Sequence, residues 1–129
     1  MSIAKMLKVM VVDDHISSRM VTVDALNAMG ITSVAVANDG RDGYNKLITN
    51  PVHLLITDIF MPDINGYQLL KAVRSHPIIG KIGAIILTGK KDSEAMANAR
   101  VLGVNNVLEK PFSMPGLKSA IESVVGKLD

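Results

Sequence analysis

Three aspartates stand where apolar runs end. Asp13 and Asp14 close LKVMVV, and Asp58 closes LLIT. Thr88 follows AIIL, and Lys110 lies just past NVL. If those runs lie side by side, three carboxylates, a hydroxyl and an ammonium converge. Carboxylates held together repel, and their pKa values rise unless a cation joins them. A few hard oxygen ligands suit Mg²⁺, which keeps some of its waters and takes further oxygens from a phosphate. An aspartate is ionised at neutral pH, with an unperturbed pKa of about 4. It therefore needs no general base to act as a nucleophile, and carboxylates accept phosphoryl groups as aspartyl phosphates. Phosphoryl transfer asks mainly for positioning and charge neutralisation. Lys110 and a bound cation would neutralise the phosphoryl oxygens, and Thr88 would hydrogen-bond one of them.

The elements around these residues give the convergence a physical basis. Short apolar runs at 7–12, 33–37, 54–57, 84–87 and 106–108 read as strands. Three of them are continuous rather than alternating, the pattern of strands buried on both faces. Helical patterns fill the gaps at 17–29, 41–49, 67–75, 93–102 and 114–127. Val21, Leu26 and Met29 form the apolar side of the first. Gly30 and Gly103 read as helix stops, Asp92 and Ser113 as N-caps, and Pro115 is tolerated in a first turn. Strand and helix alternating five times predict an α/β protein, a parallel sheet covered by helices on both faces. Ligands bind such sheets outside the carboxyl ends of the strands. That edge carries Asp13, Asp14, Asp58, Thr88 and Lys110.

Composition narrows the alternatives. A length of 129 residues, 48% of them apolar, fits one domain with a real core. The net charge of +2 comes from scattered residues, so nucleic acid is not an expected partner. The absence of cysteine excludes disulfides, zinc–thiolate sites and thiol nucleophiles. The apolar run from Met6 to Val12 is too short to span a membrane and lacks a signal-peptide cleavage site. A cytoplasmic monomer is the expectation. The eight methionines read as core filler.

VVDD, TDIFMPDINGYQLL, ILTG and LEKPF, in this order and spacing, resemble the receiver domain of two-component response regulators. The resemblance covers essentially the whole chain, as one receiver domain over 1–129 with no output domain. It implies a flavodoxin-like doubly wound sheet of five parallel strands, order 2-1-3-4-5, with five helices. It implies Asp58 as phosphoacceptor, with Asp13, Asp14, Asp58 and the backbone carbonyl of Phe60 holding Mg²⁺. Thr88 matches the switch hydroxyl and Lys110 the family's lysine, with a cis Lys110–Pro111 peptide. The donor would be a phosphohistidine on a CheA-like sensor histidine kinase. The chain would catalyse only its own phosphorylation and dephosphorylation, and is not otherwise an enzyme. Among receivers it is most similar to standalone CheY-like chemotaxis regulators. That implies a protein contact as output, to a FliM-like flagellar switch protein, through the face at about 92–127.

The chain departs from the family pattern at Val107, where many members carry a Tyr or Phe that swings inward after phosphorylation. The signal is then expected to travel through the loop after Thr88, where Gly89 gives backbone freedom. Phe60 and Lys90 occupy positions that tune phosphoryl lifetime in the family, Phe60 as an apolar ring that excludes water. Asp63 reads as a turn residue, and Lys91 as part of a solvated face. His15, His53 and His76 read as structural or surface residues, with His15 nearest the site. Three other readings compete. A phosphate sink or phosphorelay intermediate would share the chemistry without a motor partner. A phosphatase of the haloacid dehalogenase type would need Asp-x-Asp after the first strand, where this chain has Asp13-Asp14, and a cap domain. A Mg²⁺-binding scaffold would never take the phosphoryl group.

Overall fold

The structure, a computed structural model, describes residues 3–128; Met1, Ser2 and Asp129, the ends of the expected 1–129 domain, lie outside the described residues. Five strands, β1 (Lys8–Val12), β2 (Ser33–Ala37), β3 (Leu54–Asp58), β4 (Gly83–Thr88) and β5 (Asn106–Glu109), form one parallel sheet in the order β2-β1-β3-β4-β5. The helices are α1 (Ile3–Met6), α2 (Ile16–Ala28), α3 (Gly40–Thr49), α4 (Gly66–Ser75), α5 (Ser93–Val101) and α6 (Met114–Val125). This is the expected flavodoxin-like arrangement.

Burial follows the strand sequences. Every residue of β3 is buried, as are the last four of β1 and the last five of β4. Edge strand β2 is mostly open to solvent. Successive side chains alternate between two cores. Met10, Val12, Leu55, Ala84, Ile86 and Val107 face α3, α4 and α5 through Leu47, Leu69, Leu70, Val73, Ala95 and Ala99. Val9, Val11, Leu54, Ile56, Ile85 and Leu87 face α2 and α6 through Leu26, Leu117 and Ile121. The register pairs Val12 with Thr57, Asp58 with Leu87, and Thr88 with Glu109, so the strand ends form one edge. Asp13 and Asp58, by strand parity, lie on the α2/α6 side.

Helix starts are fixed by short polar side chains. Asp39, Asn65, Asp92 and Ser113 each accept a backbone N–H three residues on, and Asn65 closes a full capping box with Gln68. Gly30 and Gly103, both at positive φ, end their helices as read from the sequence.

Three expectations change. There are six described helices rather than five. The extra one, α1, takes up Met6, read from sequence as the start of an apolar strand run; Met6 is exposed and the strand begins at Lys8. One helical turn shows no periodicity to detect. It is pinned by the Ala4 N–H on the Leu128 carbonyl, 3.3 Å. On α2, Val21 is exposed, and Thr22 and Leu26 are buried instead. Thr22 tolerates burial because its hydroxyl donates to the Ser18 carbonyl, 3.2 Å. Arg74, unremarked in the sequence, donates to the carbonyls of Gly80, Ile82, Leu102 and Gly103, tying the end of α4 to the approaches of β4 and β5.

One contact joins this frame to the strand-end edge. The Gly66 N–H donates to the Ile59 carbonyl at 2.7 Å, and a Cβ on Gly66 would lie 2.2 Å from the Asp58 carbonyl oxygen. No side chain rotation relieves a clash with backbone. Gly66→Ala should therefore destabilise the fold by about 1–3 kcal/mol, the usual range for forced overpacking. Urea unfolding with an unchanged midpoint would show that α4 can back away without strain.

Candidate functional site

Three strand ends deliver the central charges. Asp13 follows β1, Asp58 is the last residue of β3, and Lys110 follows β5. Asp13 is 2% exposed and Asp58 8%, while the Lys110 side chain is 22% exposed. The Lys110 Nζ lies 3.2 Å from Asp13 Oδ2 and 3.2 Å from Asp58 Oδ2, bridging the two carboxylates. It also donates to Ser18 Oγ at 2.8 Å. The Lys110 backbone N–H donates to the Thr88 carbonyl at 2.7 Å, and the Lys110–Pro111 peptide is cis, as the resemblance implied.

The other carboxylate oxygens are held by the main chain. Asp13 Oδ1 accepts the His15 N–H at 3.0 Å, and Asp58 Oδ1 accepts the Ile59 N–H at 2.8 Å. Arg19 Nη1 donates to the Asp13 carbonyl at 2.8 Å, fixing the turn into α2. Burial pushes the Asp13 carboxyl up, but the Ser18 hydroxyl, the His15 N–H and Lys110 together outweigh it and hold Asp13 below its ordinary value.

Asp14 differs. His15 Nδ1 approaches its Oδ1 to 3.1 Å without forming a hydrogen bond, and that buried oxygen has no hydrogen-bond partner among the described residues. An orphaned buried oxygen is costly unless something fills its coordination. Ligand atoms from Asp13, Asp14, His15 and Asp58 all lie within 4.8 Å of one another. Three carboxylates against one ammonium leave two negative charges, which a divalent cation balances. An oxygen-rich set of this kind fits a hard cation such as Mg²⁺. Asp14 does not cap α2: His15 holds the N-cap position and its side chain makes no capping bond.

Thr88 ends β4 with its side chain fully buried, but its hydroxyl is turned to its own loop. Oγ1 donates to the Lys90 carbonyl at 3.3 Å and accepts the Lys90 N–H at 3.2 Å. The Phe60 residue is 71% exposed, its ring turned to solvent between the buried Ile59 and Met61, and it does not shield the carboxylates. The Lys90 ammonium lies out in solvent, 3.9 Å from Asp92. Asp63, at positive φ, pairs with Arg41 as a turn residue. His53 and His76 accept backbone N–H groups through Nδ1, in structural roles. Val107 is buried beside Ile86.

Ser18 is the site residue that sequence reading missed. A serine on the first turn of α2 carries no signal of its own; only the Lys110 ammonium lying 2.8 Å from its hydroxyl reveals it.

Comparison with known proteins agrees with this geometry. A family model described as the response regulator receiver domain matches residues 9–122. The chain is 43% identical over 128 residues to "Probable chemotaxis protein CheY" of Rhizobium etli, covering 99% of each chain. It is 36% identical over 124 residues to "Chemotaxis protein CheY1" of Helicobacter pylori, covering 95% of this chain and all of the relative. A solved structure of the chemotaxis protein CheY4 of Vibrio cholerae superposes with a TM-score of 0.85 at 30% identity, over 92% of this chain and 98% of that one. No described helix is long and apolar enough to cross a membrane.

The bridge has a pH signature. The depressed pKa of Asp13 means its ionised form stabilises the fold above the unfolded value near 3.8, and that contribution is lost as pH falls through the folded pKa. In Lys110→Met the pull from the ammonium is gone while burial remains. The variant should be less stable than wild type in metal-free buffer at neutral pH, by about 1–3 kcal/mol given the partial exposure. The deficit should shrink as pH falls from the unfolded value near 3.8 through the lowered folded pKa of Asp13. Unfolding curves at several pH values check this; a deficit independent of pH would place the loss in packing rather than charge.

Proposed function

The chain belongs to the response regulator receiver family, and we propose that it is a chemotaxis response regulator of the CheY type that takes a phosphoryl group on Asp58. The observation that carries this is the Lys110 ammonium, 3.2 Å from both Asp13 and Asp58 at the carboxyl ends of adjoining parallel strands. The whole chain, 1–129, is taken as one receiver domain. Its relatives among the chemotaxis proteins favour this reading over a phosphate sink or a phosphorelay intermediate.

In this mechanism a carboxylate oxygen of Asp58 attacks the phosphorus of a phosphohistidine on a CheA-like kinase. The phosphorus–nitrogen bond breaks, its electron pair stays with the donor imidazole, and an aspartyl phosphate remains. Asp13, Asp14, Asp58 and the Phe60 carbonyl would hold Mg²⁺, which neutralises charge on the phosphoryl oxygens. Lys110 keeps Asp13 and hands its Asp58 hydrogen bond to a phosphoryl oxygen. The Thr88 hydroxyl leaves Lys90 and donates to another phosphoryl oxygen, drawing the loop before α5 inward. With Val107 where many relatives carry an aromatic ring, this loop movement carries the signal. Beyond this self-phosphorylation and dephosphorylation the chain is not an enzyme.

The output is a contact with a FliM-like flagellar switch protein in the cytoplasm, made by a monomer through α5, β5 and α6. Met96, Val101 and Met114 expose apolar surface on those helices, which supports a protein partner over nucleic acid. Incubation with acetyl phosphate and Mg²⁺ should add one phosphoryl group by intact mass. Asp58→Asn or a chelator should remove that gain. The protein should then bind a FliM N-terminal peptide more tightly with beryllofluoride than with Mg²⁺ alone. No mass gain in wild type would reject Asp58 as acceptor, and a mass gain without peptide binding in either state would return the reading to a sink or relay.

A further inference from the structure

A lysine ammonium has three N–H donors, and all three of Lys110 have acceptors. They go to Asp13 Oδ2 and Asp58 Oδ2 at 3.2 Å each, and to Ser18 Oγ at 2.8 Å. The contact to the neutral hydroxyl is the shortest. Ser18 sits on a turn held at two further points. Its carbonyl accepts the Thr22 hydroxyl at 3.2 Å, and its neighbour Arg19 clamps the Asp13 carbonyl at 2.8 Å. Val21, Pro111 and Phe112 line the same shallow groove as Ser18 and the Lys110 side chain. The backbone that carries the acceptor oxygen is therefore anchored one bond rotation away from it, whereas the ammonium rides on a flexible four-carbon stem.

This arrangement matters when Asp58 changes. Once phosphorylated, Asp58 gives an oxygen to the acyl phosphate bond, and the N–H it accepted must find a phosphoryl oxygen. The direction of that N–H is set by the two that stay anchored. Asp13 alone leaves the ammonium free to turn about a single contact; Asp13 and Ser18 together leave it one orientation. We propose that Ser18 is a positioning residue for phosphoryl transfer, holding one N–H of Lys110 so that another is aimed at the incoming phosphoryl oxygen. Ser18 does not itself touch the reacting atoms. The inference rests on Asp58 being the phosphoacceptor.

The test is the phosphorylation rate with acetyl phosphate at saturating Mg²⁺, followed by intact mass, for wild type, Ser18→Ala and Ser18→Thr. Mg²⁺ affinity is measured in parallel by titration calorimetry. Ser18→Ala should slow phosphorylation about tenfold, the scale of one hydrogen bond to a charged group, with Mg²⁺ affinity held within about twofold. Ser18→Thr, which restores the hydroxyl, should recover most of the rate. A general loosening of the site would instead weaken Mg²⁺ binding along with the rate and would not be rescued by threonine, and that result overturns the inference. So does a Ser18→Ala rate equal to wild type when wild type is phosphorylated. Wild-type protein that takes no phosphoryl group at all overturns the phosphoacceptor reading, and this inference with it.

Discussion

The site depends on one bridge, the Lys110 ammonium between Asp13 and Asp58. Two ionised carboxylates at 2% and 8% exposure would repel and would be starved of water. At an effective dielectric constant of about 20, unit charges about 4 Å apart interact by about 4 kcal/mol. Part of that gross attraction offsets the desolvation of the groups, so the net is smaller. The ammonium still decides the arrangement, because it is the cation both carboxylates touch. With Asp14 added, the account of charge leaves a deficit that a divalent cation fits, at an oxygen without a hydrogen-bond partner among the described residues.

The bridge forms because the sheet brings its members together. Strand order β2-β1-β3-β4-β5 makes β1 and β3 neighbours and carries Lys110 back over them from β5 through the turn at Pro111. Central strands buried on both faces have little freedom to shift, so the carboxylates at their ends are held accurately. Around that rigid edge, the polar loops are the movable parts. Thr88 illustrates the difference: its backbone is locked to Lys110, while its hydroxyl is engaged, among the described residues, by Lys90 in the following loop. Rigid carboxylates beside an exchangeable hydroxyl are what a phosphoryl-driven switch requires.

Much of this was legible in the sequence because the signals were of long range in the pattern. Continuous apolar runs marked the buried strands, and a polar residue closing each run marked the shared edge. Asp13, Asp14, Asp58 and Lys110 were found that way, and the structure brings them within reach of one another. Helix ends at Gly30, Asp92, Gly103 and Ser113 were legible because each residue type has one mechanical use there. What was not legible depends on side-chain direction. Val21 and Thr22 differ by one step around α2, and a threonine with a satisfied hydroxyl took the inner place. Ser18 carries no signal until Lys110 is known to lie over it. Phe60, expected to shield the site, faces solvent while its neighbours Ile59 and Met61 take the inward places. The single turn α1 is too short to have a period.

The most direct test of the account is a double-mutant cycle on the bridge. Unfolding free energies of wild type, Asp58→Asn, Lys110→Met and the double variant would be measured in chelator-treated buffer at neutral pH. If the ammonium organises the site through charge, Lys110→Met should be less damaging in the Asp58→Asn background, with a coupling of about 1 kcal/mol or more. Energies that add to within about 0.3–0.5 kcal/mol would contradict it, and would mean that the sheet alone holds the carboxylates where they are.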